Sequence, residues 1–448
     1  MQRPRGEFFF GAENRFPGER RPSGRPGIAK ENPTTMAEPI VLAFSGGLDT
    51  SFCVPWLKEK HGSDIITVIV DTGGLDAAER TRLAAKSKQL GAREHHCIDA
   101  RATFFDETIR HLIAGNVLRG GVYPLCVGAE RGLQARKVAE TARTLGAKAI
   151  AHGCTAAGND QVRFEVALRT LAPELSILAP VRDEGFSRQH EADYLRKLGI
   201  EVSAERAAYS VNRGLWGVTI GGKETTDTLE SIPESAWVLT KGAFEKLRAP
   251  EPHTIAFERG GPVAIDGAPL DPVALIEKID QLAAPFGIGR GIHLGDTILG
   301  MKGRVAFEAP AAHVLIAAHR ELEKLVLTQR QLRLKELVAG HYGDWVHEGQ
   351  SLEPAARDAE ALLVRSQERV TGEVKLTLRP GATFVTGVSS PFSLKAASKA
   401  VYGEAVGEWT PADAAGFSRI LALPSELHAR AGQRGGAPRN DSFRTQVR

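Results

Sequence analysis

The sequence predicts an α/β chain in which a parallel-sheet domain is followed by a second domain of α+β texture. Three observations lead there. From Ile40 onward, short apolar runs alternate with stretches of helical period, as in a parallel sheet wrapped by helices. The first of those runs ends in a glycine-rich turn that opens into a helix. After about Ala204 the texture changes to β-type segments separated by glycine pairs.

Taken in order, Ile40 to Phe44 reads as a buried strand and Ser51 to Lys60 as the helix after it. Ile65 to Val70 is the next strand, Asp76 to Leu90 a helix, and His95 to Ile98 a short strand. Gly132 to Leu145 is a longer helix, and Ala149 to His152 returns to the sheet. In the second domain, Thr254 to Phe257 and Val263 to Ile265 read as strands, with hairpin turns at Gly221-Gly222, Gly260-Gly261 and Asp266-Gly267. Leu315, Ala318, Leu322 and Leu325 recur at helical spacing, which predicts one long amphipathic helix over Val314 to Val338. The expected division is an extension over 1–35, a first domain over 36–204, a second over 205–390, and an arm or tail over 391–448. Residues 1–35 are rich in Arg, Pro and Gly, carry Glu7, Glu13 and Glu19, and lack the apolar centre of a signal peptide, so Met36 reads as the natural start or the segment as a flexible tail.

The composition narrows the function classes. With 448 residues, 42% hydrophobic and 25% charged, the chain suits two domains sharing a cleft. No run of about 18 apolar residues occurs, so no membrane partner is expected. A net charge of +3, with bases and acids interleaved, gives no basic face for a nucleic acid. Cys53, Cys97, Cys126 and Cys154 lack paired spacing and read as free thiols in a reducing, cytoplasmic compartment.

The strongest motif is Ala43-Phe44-Ser45-Gly46-Gly47-Leu48-Asp49-Thr50-Ser51, between a strand and a helix. Its glycines let the backbone approach an anion, N–H groups at the helix start point at it, and Ser45, Thr50 and Ser51 add hydroxyls. A phosphate or pyrophosphate is the natural occupant, and Asp49, standing where other phosphate loops carry lysine, suggests Mg2+. Val70-Asp71-Thr72-Gly73-Gly74 ends the next strand, on the side of the sheet where ligands bind, and reads equally as a nucleotide contact or a plain turn. The run from His152 through Gly153, Thr155, Asn159, Asp160, Gln161 and Arg163 to Glu165 gathers donors suited to amino-acid carboxylates and ammonium groups; an Asn-Asp helix cap is its plainer reading. His152 stands equally as a general base or a packing residue, and His95-His96 as strand-end surface; the motifs supply no protein metal ligands.

S-G-G-x-D-[ST]-S resembles the loop of the ATP-pyrophosphatase superfamily, whose fold is the adenine-nucleotide alpha-hydrolase type. Joined to H-G-C-T-x-x-G-N-D-Q-V-R-F-E, Tyr209-Ser210 with Leu215, and Gly300-Met301-Lys302, it resembles the argininosuccinate synthase family from about Pro39 to Gly381. That resemblance implies ATP-dependent ligation of citrulline to aspartate through an adenylate, with AMP and pyrophosphate released, in arginine biosynthesis. It also implies a synthetase and multimerisation role for the second domain and a homotetramer. By motif, ATP falls to residues 43–51, Val70 and Gly153, and aspartate to Thr155, Asn159 and Asp160. Citrulline falls to Tyr123, Asn159, Arg163, Ser210 and Thr219, with Asp49 and Arg163 as the catalytic pair.

The chain also departs from the family. Ala156-Ala157 replaces a glycine-lysine pair, Gly128 a serine, Arg131-Gly132 an arginine-proline, and Thr219 a serine. Gly295 falls where the family has glutamate and Phe307 where it has tyrosine, which removes partners for a substrate ammonium, although Asp296 is adjacent. The run G-R-G-x-x-x-G-D-T-x-x-G-x-K-G-R resembles that of a bacterial subtype, so the chain reads as a divergent member. The alternatives are the same chemistry on another ureido or amide acceptor, such as an acylated citrulline, or a non-catalytic nucleotide-binding paralogue.

Overall fold

The computed structural model describes residues 38–201, 209–246, 248–404 and 406–434. The expected extension over 1–35 and the expected boundary at Ala204 lie outside the described residues.

Five strands make a parallel sheet: β1 (Ile40–Ala43), β2 (Ile65–Asp71), β3 (Glu94–Asp99), β4 (Ala149–His152) and β5 (Ser176–Leu178), in the order β3-β2-β1-β4-β5. Every residue of β2 and β4 is buried, as their largely apolar runs require in a sheet covered on both faces. The order reverses at β1, whose neighbours are β2 and β4, and the crevice beyond β1 and β4 is where such a sheet binds its ligand.

The remaining strands are antiparallel. β6 (Ser210–Gly214), β7 (Gly217–Gly221), β11 (Arg290–Asp296) and β12 (Lys302–Glu308) form a sheet of order β11-β12-β7-β6. β8 (Glu251–Glu258), β9 (Gly261–Ile265), β10 (Ala268–Pro269), β13 (Gly372–Arg379) and β14 (Ala382–Ser389) form the other, of order β10-β9-β8-β13-β14. Asp266 and Gly267 turn between β9 and β10 with φ of 51° and 79°, the double positive φ that an Asp-Gly hairpin uses. Gly221-Gly222 does not make a hairpin. Gly221 ends β7 and Gly222 leads into a short 3-10 turn, while Leu215-Trp216 closes the β6–β7 hairpin.

Three expected elements need correction. The first helix begins at Leu48, not Ser51, so Asp49 and Thr50 lie in its first turn. The long helix is two, Pro310–Val326 and Gln329–Glu348, because Thr328 and Gln331 form a reciprocal capping box that starts a new helix after extended Leu327. Beyond Ser390 the chain is more ordered than its weak periodicity suggested: Pro411–Arg434 is a 24-residue helix begun by the Thr410-Asp413 cap. None of its residues is buried, and Phe417, Ile420, Leu421 and Leu427 stand exposed along it. Among the described residues no helix is long and apolar enough to cross a membrane.

Candidate active site

The turn after β1 is built as a cradle. Gly46 has φ 72°, and a Cβ there would lie 2.2 Å from Leu83 Cδ2, so only glycine fits. Ser45 Oγ and Thr50 Oγ1 lie 3.1 Å apart, Gly47 N–H donates to Ser45 Oγ at 3.3 Å, and Ser51 Oγ donates to the Gly47 carbonyl at 2.5 Å. Lys86, from the helix Ala77–Gln89, donates to the Gly46 carbonyl at 2.7 Å and braces the turn from outside. Gly47 is the N-cap of the helix Leu48–His61 without a side-chain cap, which leaves the helix N-terminus to an anion.

Behind the cradle, Asp49 Oδ1 and both oxygens of Glu191 are buried without a donor among the described residues. Burial first, then the Asp49 charge, pushes Glu191 up to about 8, so at neutral pH Glu191 carries a proton and donates it towards Asp49.

The loop after β4 touches this cradle. A Cβ on Gly153 would lie 3.0 Å from Thr50 N and 3.1 Å from the Asp49 carbonyl carbon, so glycine permits the contact. Beyond it, the helix Asn159–Leu171 aims Asp160 and Arg163 into a cavity of about 300 Å3 walled by Tyr123, Gly128, Arg131, Asn212, Thr219, His293, Gly295, Asp296 and Arg304. Arg131 Nε donates to Asp160 Oδ2 at 2.9 Å and Arg163 Nη1 to Asp160 Oδ1 at 2.7 Å. Burial opposes ionisation of Asp160, but Arg131 and Arg163 hold it down at about 2. Arg163 also donates from Nε to the His347 carbonyl at 2.7 Å, so its fork is fixed on both edges. Asn159 Oδ1 accepts from Ile298 N–H at 2.9 Å and ties the β11–β12 turn to this wall.

Glu130 lies beneath the Asp160 clamp. Its Oε2 accepts from Thr72 Oγ1 at 2.6 Å and Gln134 Nε2 at 3.2 Å, and its Oε1 fills the space a Cβ on Gly214 would need, 1.5 Å away. Burial pushes it up from 4.5 to about 7, against the pull of Arg131. Because the folded value is the higher, folding takes up a proton between those values. The associated stability is present below about pH 4.5 and is lost as pH rises through about 7. Glu130→Gln is expected to remove this slope, so that in urea titrations the variant gains on the wild type by about 1–3 kcal/mol more at pH 8 than at pH 5. An equal difference at both pH values would contradict the assignment.

Models of two domain families cover this chain: "Arginosuccinate synthase N-terminal HUP domain" over residues 39–201 and "Arginosuccinate synthase C-terminal domain" over residues 209–428. Argininosuccinate synthase of Dehalococcoides mccartyi is 40% identical over 397 residues, 88% of this chain and 97% of that protein. Argininosuccinate synthase of Methanocaldococcus jannaschii is 41% identical over 359 residues, 80% and 90% of the two chains, and that of Pyrobaculum aerophilum 39% over 392, 87% and 98%. This chain belongs to the argininosuccinate synthase family. Its N-terminal part has the HUP-type parallel sheet of that family, and its C-terminal part the separate antiparallel sheets.

The residues that the argininosuccinate synthase motifs single out fall into three groups. Ala43 to Ser51 and Gly153 adjoin at the cradle, whereas the Val70 side chain is buried in the core and only its backbone reaches that end of the sheet. Tyr123, Asn159, Asp160, Arg163 and Thr219 meet at the cavity. Thr155 and Ser210 are exposed and are not among its walls; Asn212, on the same face of β6 as Ser210, takes the place beside Thr219. Of the departures, Gly128 gives room to Arg163, whose Cζ would lie 3.2 Å from a Cβ there. Phe307 is buried under Tyr123, ring centroids 5.2 Å apart, and is not a cavity wall. Asp296 lines the cavity but is paired with Lys302 at 2.5 Å.

Sequence reasoning missed Lys86, Glu130, Glu191, His293 and His347, none of which stands in a recognisable motif. It also took His95 for surface, yet His95 is half-buried, hydrogen-bonded to Thr67 Oγ1 at 2.8 Å and edge-on to Phe44. His152 is buried against Phe164 and held down at about 4 by burial and then Arg182, which favours the packing role.

Proposed function

We propose that this chain joins citrulline to aspartate with ATP, giving argininosuccinate, AMP and pyrophosphate, as a step of arginine biosynthesis. The observation that carries it is the Arg131–Asp160–Arg163 clamp in a cavity one loop away from a helix N-terminus that has no side-chain cap. The ureido oxygen attacks the α-phosphorus as the bond to pyrophosphate breaks. The aspartate amine then attacks the ureido carbon, AMP leaves with the oxygen, and the amine gives up a proton.

In this reading, residues 43–51, the Val70 backbone and Gly153 hold ATP. Thr155, Asn159 and Asp160 hold aspartate, and Tyr123, Asn159, Arg163, Ser210 and Thr219 hold citrulline. Asp49 and Arg163 do the most for the chemistry, by placing charge where it develops. The carboxyl oxygens of Asp49 beside the cradle suit Mg2+, a cation that prefers one or two carboxylates plus phosphate oxygens and would neutralise the departing pyrophosphate. A domain over 36–204, a second over 205–390 and an arm from 391 onward complete the division. The arm's exposed Phe417, Ile420, Leu421 and Leu427 support a homotetramer, and four free cysteines a cytoplasmic setting.

A second reading, the same ligation on an N-acylated citrulline, is favoured by one observation: among the described residues the carboxylates on the cavity wall are Asp160 and Asp296, and both are already paired with cations. AMP and pyrophosphate release should be measured with ATP, magnesium and aspartate, adding citrulline or N-acetylcitrulline. Citrulline-dependent release supports the first reading. Release with the acylated compound alone supports the second, and none with either defeats both.

A further inference from the structure

His293 stands on β11 two residues before Gly295, so both face the same side of the sheet. The imidazole ring lies over Gly295: a Cβ there would be 2.5 Å from Nε2 and 3.0 Å from Cε1. On its other side is Gly120, whose Cβ would be 3.1 Å from Cε1 and 3.3 Å from Nδ1. The ring face stacks on Tyr123, with centroids 5.4 Å apart and planes 18° from parallel. Packing alone therefore fixes the ring, while its edge lines the cavity and no protein group among the described residues hydrogen-bonds either nitrogen.

His293 is 9% exposed, and its ring nitrogens are not among the buried unpartnered atoms of the described residues, so they are open to a ligand or water in the cavity. Burial, and then Arg119, lowers its pKa, so the ring is neutral at pH 7 and offers one donor and one acceptor. The clamp of Arg131, Asp160 and Arg163 lines the same cavity. His293 thus faces whatever acceptor fills the cavity.

We propose that His293 is an acceptor-binding residue: its imidazole edge hydrogen-bonds the ureido substrate that fills the cavity, from the space that a side chain at 295 would otherwise occupy. Gly295 and Gly120 are then the two positions that make room for the ring. The inference rests on the cavity being the acceptor site of the proposed ligation.

The test is a double-mutant cycle in the full chain. His293→Ala should raise KM for the acceptor that the wild type turns over, citrulline or N-acetylcitrulline, about tenfold or more, the worth of one hydrogen bond. KM for ATP and aspartate should stay within about twofold, and His293→Gln, which keeps a donor and an acceptor, should recover most of the loss. Gly295→Ala should raise the same KM, because its methyl displaces the ring, but should add less than about twofold in the His293→Ala background. An acceptor KM unchanged in His293→Ala, or an equal Gly295→Ala penalty with and without the ring, overturns the proposal. A merely structural ring would instead lower Tm and move all three KM values together. Absence of wild-type turnover on either acceptor would remove the parent reading and this one with it.

Discussion

Exchanging Asp49 for Asn is expected to lower AMP formation at least a hundredfold while Tm stays unchanged or rises. The two effects separate because Asp49 serves function at a cost to the fold. Its Oδ1 is buried without a donor other than the proton of Glu191, whose own oxygens have no other partner among the described residues. An amide there keeps the shape, removes the like charge, and gives Glu191 an N–H to accept from. Activity suffers because the negative charge beside the phosphate cradle, and with it the seat proposed for Mg2+, is gone. Steady-state AMP release beside a thermal melt reads both. A variant that keeps a tenth or more of its activity, or that melts several degrees lower, would contradict this account of Asp49.

Arg163→Ala should do the reverse and damage both properties. Arg163 is 6% exposed, and its guanidinium spans Asp160 and the His347 carbonyl. Its removal leaves the carbonyl unmet and Asp160 with Arg131 alone, a loss on the order of 3 kcal/mol for breaking a buried pair. Turnover should fall by about a thousandfold or more, because the group that places the acceptor and the charge on Asp160 are lost together. Arg163→Lys should recover stability better than activity, since an ammonium can meet Asp160 but cannot hold two partners in one plane. Urea titration and kcat/KM for the three variants would show it. A lysine variant within tenfold of wild-type activity would show that the planar fork is dispensable.

Much of the parallel sheet was legible before any coordinates. β1, β2 and β4 are largely apolar runs, the S-G-G-x-D-T-S turn sits between a strand and a helix, and Asp266-Gly267 marks its own hairpin. The errors were also local. The capping box at Thr328 and Gln331 is a four-residue signal that the apolar stripe running through it concealed. The C-terminal helix was overlooked because, among the described residues, its apolar side chains are not buried and so serve no core.

The site divides along the same line. Sequence by itself determined the phosphate cradle, the Asn159-Asp160-Arg163 grouping and the family, because each rests on residues close together in the chain whose backbone demands are printed in their types. Tertiary structure alone decided that Arg163 is clamped by His347, 184 positions away, that Glu130 fills the room left by Gly214, and that His293 fills the room over Gly295. Those are complementarities of volume and charge between separate elements, and no local period or turn preference encodes which cavity a given side chain will fill.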